Sequence, residues 1–200
     1  MDNFRVIWNH EVDQAHTIAR SLLETTRGDF GWRTIFLPYL FYDYIRLRAT
    51  LILTRKNFLF TKQLAFRAAK EISRGKDRAL EIRLIETKTK TILDKETKGY
   101  YTEKIRRRQL HEIQVLIDHY LQLSNSNGTT YPEMIQAAYP SKKQYLLFVN
   151  QLQHIEQEVI EAAITTMRKG TRKDRLDWFG RVQETFKKTR IEEVEQIFRQ

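Results

Sequence analysis

Histidines and carboxylates recur at helical spacing in three parts of the 200-residue chain, and residues of these types on inward helix faces can hold a pair of metal ions. Such centres take a glutamate from each of two helices and a glutamate three residues ahead of a histidine from two others. Asp13 precedes His16 by three, and His16 falls within the apolar stripe of Trp8, Val12, Ala19 and Leu23, so an inward imidazole is expected. Glu112 and His119 stand seven apart and flank one side of a later stripe, while His154, Glu158 and Glu161 gather at the edge of another, with Glu158 nearest its apolar side. Together with Asp43 they define one reading, a ferritin-like bundle with a di-iron, di-manganese or small-ligand site on His16, Glu112, His119, His154 and Glu158. No helix supplies the complete glutamate-to-histidine spacing. The plainer expectation is a set of half-buried polar groups satisfied by Arg20, Arg46, Arg48 and tyrosine hydroxyls.

Other catalytic patterns are missing from the sequence. It has no glycine-rich phosphate loop, nucleophile elbow or metalloprotease histidine pair, so no catalytic residue is assigned and a non-enzymatic role is favoured. Zero cysteines exclude disulfides and thiolate zinc sites and fit a cytoplasmic address. The first residues lack the apolar core of a secretory signal. The apolar stretch from Ile35 to Leu53 is long enough to span a bilayer, but Asp43, Arg46 and Arg48 interrupt it, so a buried helix is expected rather than a transmembrane one.

The elements that would carry these groups are all helical. Only three prolines and seven glycines occur, and they fall where the periodicity resets. The spacing predicts helices over Asn3–Thr25, from near Pro38 to Ser73, over Asp77–Lys98, over 103–124 behind a Thr102 cap, a short one over Pro132–Tyr139, then Ser141–Lys169 and Lys173–Arg199. Thr87, Thr89 and Thr91 alternate with lysines and have strand character, but the flanking Glu81, Leu84, Ile85, Ile92 and Leu93 favour helix over 82–98. The expectation is an all-α, antiparallel bundle of five or six mostly long helices in one domain, 1–200, with the helix from Pro38 at its centre.

Charge supplies the other reading. The net +10 is concentrated in 54–78, with eight basic residues against two acidic, and in 168–190, with nine against three. If long helices alternate up and down, the connections at Gly75 and Gly170 share one pole, where fields superpose over a Debye length of about 8 to 10 Å. The candidate anion-binding residues are Arg55, Lys56, Arg74, Lys76, Arg78, Lys169, Arg172, Lys173 and Arg175. Interleaved Phe58, Phe60, Phe66, Trp178, Phe179 and Phe186 suit stacking on bases or contact with an anionic membrane, though aromatics at helical spacing also serve as core. The run Lys104 to Arg108 is read as a solvated helix face. The leading expectation is therefore a non-enzymatic binding or adaptor protein for nucleic acid, an acidic protein or a membrane surface. Self-association through the aromatics of Tyr39 to Tyr44 is a further one.

Overall fold

A computed structural model describes residues 2–27, 59–166 and 172–199. Within them the chain is entirely helical: α1 is Asn3–Arg27, α2 covers residues 59–73, α3 is Arg78–Asp94, α4 is Glu103–Ser124, α5 is Tyr131–Ala138, α6 is Lys142–Ile164 and α7 is Arg172–Ile197. The helix start expected at Pro38 and the aromatics from Tyr39 to Tyr44 lie outside the described residues. No described helix is long and apolar enough to cross a membrane.

Local chemistry places most of the boundaries. Asp77 accepts from the Leu80 amide at 2.8 Å and opens α3, Thr102 caps α4 through Ile105, and Ser141 caps α6 through Gln144. At α5, Thr130 and Glu133 form a reciprocal capping box, and Pro132 sits in the first turn, where it forfeits no helical hydrogen bond. Gly75 ends α2 at φ 96°, with Lys76 N–H reaching back to the Glu71 carbonyl at 3.2 Å, the closing bond of a left-handed helix stop. Gly128 is needed for space: a Cβ there would lie 2.7 Å from the Met134 amide nitrogen, at the start of α5.

The strand character of Thr87, Thr89 and Thr91 resolves into helix, in which each hydroxyl bonds back to a carbonyl four residues earlier, at Arg83, Ile85 and Thr87. Helix α3 buries only a thin face, Glu81, Ile85 and Thr89, against α4. Among the described helices α4 is central. It packs against α1, α3, α5 and α6 and buries Ile105, Ile113, Leu116, Ile117, Tyr120 and Leu123. The first helix turns one position away from the expected stripe: Phe4, Ile7, Glu11, Ala15, Ile18 and Ala19 are buried, while Trp8 and Val12 are half-exposed.

Two ends follow from long-range hydrogen bonds. Asn3 Nδ2 donates to the Ser124 carbonyl at 3.0 Å, Gln136 Nε2 to the Ile197 carbonyl at 2.5 Å, and Lys142 pairs with Glu195 at 2.6 Å. The start of α1, the end of α4, α5, the start of α6 and the end of α7 therefore meet at one end. At the other, Thr166 Oγ1 donates to the Tyr100 carbonyl at 3.3 Å, joining the end of α6 to the turn before α4.

Candidate functional site

The interior contains a layer of ionisable side chains that α1, α2, α4, α6 and α7 each help to build. On α1, Glu11 takes a place on the buried face four residues after Ile7 and four before Ala15. On α2, Lys62 reaches it: Nζ lies 2.7 Å from Glu11 Oε2, and the two side chains are 2% and 5% exposed. Tyr120 of α4 donates its hydroxyl to Glu11 Oε1 at 2.7 Å. Burial alone would raise the Glu11 carboxyl, but the Lys62 ammonium, His10 and these hydrogen bonds outweigh it and hold Glu11 below the ordinary carboxylate value. Glu11 is thus an ionised, fully partnered carboxylate in the core.

One turn or two away the balance tips the other way. Glu112 of α4 is buried and accepts a 2.6 Å hydrogen bond from Thr61 Oγ1. Burial, then the charge of Glu156 on α6, push Glu112 up to about 7 against the opposing pull of Thr61, Lys62 and Arg190. Arg190 of α7 pairs with Glu156 Oε2, and both side chains are buried. Among the described residues, Glu156 Oε1 and Arg190 Nη1 find no hydrogen-bond partner. Glu193 of α7 meets His10 Nε2 at 2.9 Å and accepts from Gln14, while His10 stacks on Tyr131 at 3.5 Å between centroids.

His119 shares α4 with this layer and is neutral. Burial lowers it to about 3, its Nδ1 lies 2.8 Å from the Tyr139 hydroxyl, and its ring stacks on Phe148 at 4.1 Å. A buried, depressed imidazole in an aromatic cage is a packing group with one hydrogen bond.

The residues expected to converge on a metal do not do so. His16 and His154 are exposed rather than inward, because the buried faces of α1 and α6 run through Glu11 and Glu156 instead. Glu158 is half-exposed and pairs with Arg108, which holds its carboxyl below the usual value. Only Glu112 and His119 of the five are buried, and no group of three histidines or acids among the described residues could hold a metal ion. His154 instead lines an open polar groove between α6 and α7 with Asn150, Gln153, Gln157, Gln183 and Glu184.

The basic connections are also redistributed. Arg78 forms a two-pronged contact with Asp118 near the end of α4, whereas Thr166 touches Tyr100 just before α4 begins. The Gly75 turn and the described end of α6 are therefore at opposite ends, roughly 24 Å apart at about 1.5 Å per residue along α4, more than two Debye lengths, and Gly170 lies outside the described residues. The described helices run differently from the alternation that a shared pole needs, because α5 returns the chain into α6 at the end where α4 stops, and α6 then runs away from it. Arg74 and Lys76 both pair with Glu71, at 3.0 and 2.6 Å, and Lys76 also approaches Glu81. Arg172, Lys173 and Arg175 lie in the first turn of α7; Arg55, Lys56 and Lys169 lie outside the described residues.

A different basic segment lies at the end where α6 stops. Residues 95–108 carry six basic side chains against Glu96 and Glu103, a net +4. The Thr166 to Tyr100 hydrogen bond ties the end of α6 to it. Glu103 is spanned by Arg106 and Arg107, and both hydrogen bonds hold its carboxyl near 2. Lys95, Lys98 and Lys104 are exposed and have no ion pair among the described residues, and Tyr100 is 50% exposed beside them.

Sequence reasoning missed Glu11, Lys62, Glu156 and Arg190 because charged residues were assigned to solvent. The available signal was positional, since Glu11 interrupts an otherwise apolar face at helical spacing. No protein-family model, curated protein or solved structure matches this chain.

Proposed function

We propose that the protein is a non-enzymatic binding or adaptor protein, an antiparallel helical bundle that uses one basic end to contact an anionic partner: nucleic acid, an acidic protein or a membrane surface. The contact surface differs from the one the charge runs suggested. It comprises Lys95, Lys98, Lys104 and Arg107, and the observation that carries it is that 95–108 holds six basic side chains against two acidic ones, with its three lysines exposed and without an ion pair among the described residues. Superposed fields of one sign concentrate counter-ions and partners of opposite charge at such a surface. Among the described residues the exposed lysines have no carboxylate to displace, whereas Arg74, Lys76 and Arg78 at the other end already hold theirs.

Binding of a labelled oligonucleotide, of polyglutamate and of anionic vesicles, each titrated at low and physiological salt, tests this reading and ranks the partner classes. About four phosphate contacts predict an affinity loss on the order of a hundredfold between roughly 50 and 200 mM salt. Affinity that ignores salt for every probe contradicts the proposal.

A further inference from the structure

Of the six asparagines in the chain, only Asn127 is followed by glycine. The side-chain carbonyl carbon of an asparagine is open to attack by the main-chain nitrogen of the next residue, at a rate set by how freely that nitrogen approaches. Glycine hinders the approach least because it has no Cβ. The Asn127–Gly128 pair stands in the polar loop between α4 and α5, and Asn127 is exposed.

The fold itself demands the glycine. A Cβ at position 128 would lie 2.7 Å from the Met134 amide nitrogen and 2.9 Å from the Glu133 carbonyl carbon, so a larger residue would displace the backbone of α5. The other described asparagines are held differently. Asn9 and Asn150 lie inside α1 and α6, where the following amide belongs to the helical ladder. Asn3 Nδ2 donates to the Ser124 and Ser126 carbonyls at 3.0 and 3.3 Å. Asn125, which precedes serine, closes α4 at φ −91° and ψ −3°, and the Ser126 N–H is bound to the Leu123 carbonyl at 3.0 Å. The Gly128 N–H, by contrast, donates to no acceptor among the described residues. Asn57 lies outside them.

We propose that Asn127 is a self-modification site of the folded protein, whose side-chain amide is converted to aspartate and isoaspartate by water without an enzyme. The Gly128 nitrogen, its proton taken by hydroxide, bonds to Asn127 Cγ; the bond from Cγ to Nδ2 breaks, and ammonia leaves with a proton from water. Water then opens the five-membered succinimide. Opening at Cγ gives aspartate, and opening at the main-chain carbonyl gives isoaspartate, whose chain runs on through Cβ and Cγ. No electrons are exchanged, and the sum is one water consumed for one ammonia released. Either product lowers the formal net charge of +10 by one. Isoaspartate also adds a carbon to the main chain beside Gly128, where the α5 backbone leaves no slack. The Thr129 and Thr130 amides both donate to Glu133 Oε2, at 2.7 and 3.2 Å, and the Ser126 carbonyl accepts from Asn3. The added carbon therefore pulls on the α5 cap and on the anchor of α1 together, at the end of the bundle where α1, α4, α5, α6 and α7 meet.

Ageing the purified full chain, folded and in urea, in mildly acidic and mildly alkaline buffer tests the site, with peptide mass spectrometry read at every asparagine. In the folded chain the mass change of an amide-to-acid exchange is expected at Asn127 first and faster in alkali, with isoaspartate detected there by an isoaspartate-specific methyltransferase. Asn125 should keep its amide while folded and lose it in urea. Asn127→Ser should form no early acidic species, and the isoaspartate form, separated by ion exchange, should unfold at lower urea than the unaged protein. A folded chain that keeps its Asn127 amide overturns the proposal, and that result needs no variant to fold. Conversion of folded Asn125 as fast as Asn127, or an acidic species that persists in Asn127→Ser, overturns it equally.

Discussion

Lys62 and Lys98 are the same residue type in the same basic chain, yet one is 2% exposed against Glu11 and the other stands in solvent beside Tyr100 with no ion pair among the described residues. The same contrast separates Arg190, closed against Glu156, from Arg107 at the surface. Charge counted along the sequence treats these cations alike. Burial sorts them: the interior cations neutralise core carboxylates and hold helices together, and only the exterior ones have field to spare for a partner.

The largest expected effect is inside. Replacing Lys62 by methionine leaves Glu11 buried without its ammonium, and breaking one side of such a pair costs roughly 3 to 5 kcal/mol. Urea unfolding of Lys62→Met should show that loss, and adding Glu11→Leu should recover much of it. A loss below about 1 kcal/mol would place Lys62 among the surface charges and break the contrast.

Acid titration probes the same interior through His119. Its folded-state value near 3 lies below the ordinary 6.5, so the neutral ring's contribution is complete above the ordinary value and is lost as pH falls through that window. At about 1.4 kcal/mol per unit, a few kcal/mol should disappear between about pH 7 and about pH 4. Glu112 acts with the opposite sign, its contribution being present below 4.5 and lost as pH rises through about 7. Comparing the acid limbs of the wild type and His119→Phe separates the two; identical limbs would show that His119 is not held neutral.

The smallest effect belongs to the surface. Arg78 and Asp118 make a good two-pronged pair, but both are about half-exposed, and removing either should change stability by no more than about 1 kcal/mol, fading with salt. A larger, salt-resistant loss in Arg78→Ala would mean that this end is held together by charge.

Elements set by local chemistry were legible in the sequence. Thr102 and Asp77 cap helices, Gly75 stops one, and of the α4 stripe that spacing predicts, Ile105, Ile113, Leu116, Ile117 and Tyr120 are buried and Leu121 is half-buried. The interior layer was not legible, because its pairs join residues 34 and 51 apart, Glu156 with Arg190 and Thr61 with Glu112, and no periodicity reports which charge will find which partner. The position of the basic surface failed for a related reason. Whether α5 continues the alternation or reverses it is decided by contacts such as Gln136 with the Ile197 carbonyl, not by the sequence of either helix.

Charge reversal at the two ends tests the central claim most directly. Affinity for a labelled polyanion is measured at low salt for the wild type, for Lys98→Glu with Lys104→Glu, and for Arg74→Glu with Lys76→Glu, alongside thermal unfolding of each. The first pair should lose affinity on the order of tenfold or more with its melting temperature nearly unchanged, and the second should stay within about twofold. Equal losses from both pairs, or a larger loss from the second, would contradict a partner-binding surface at the Gly99 end.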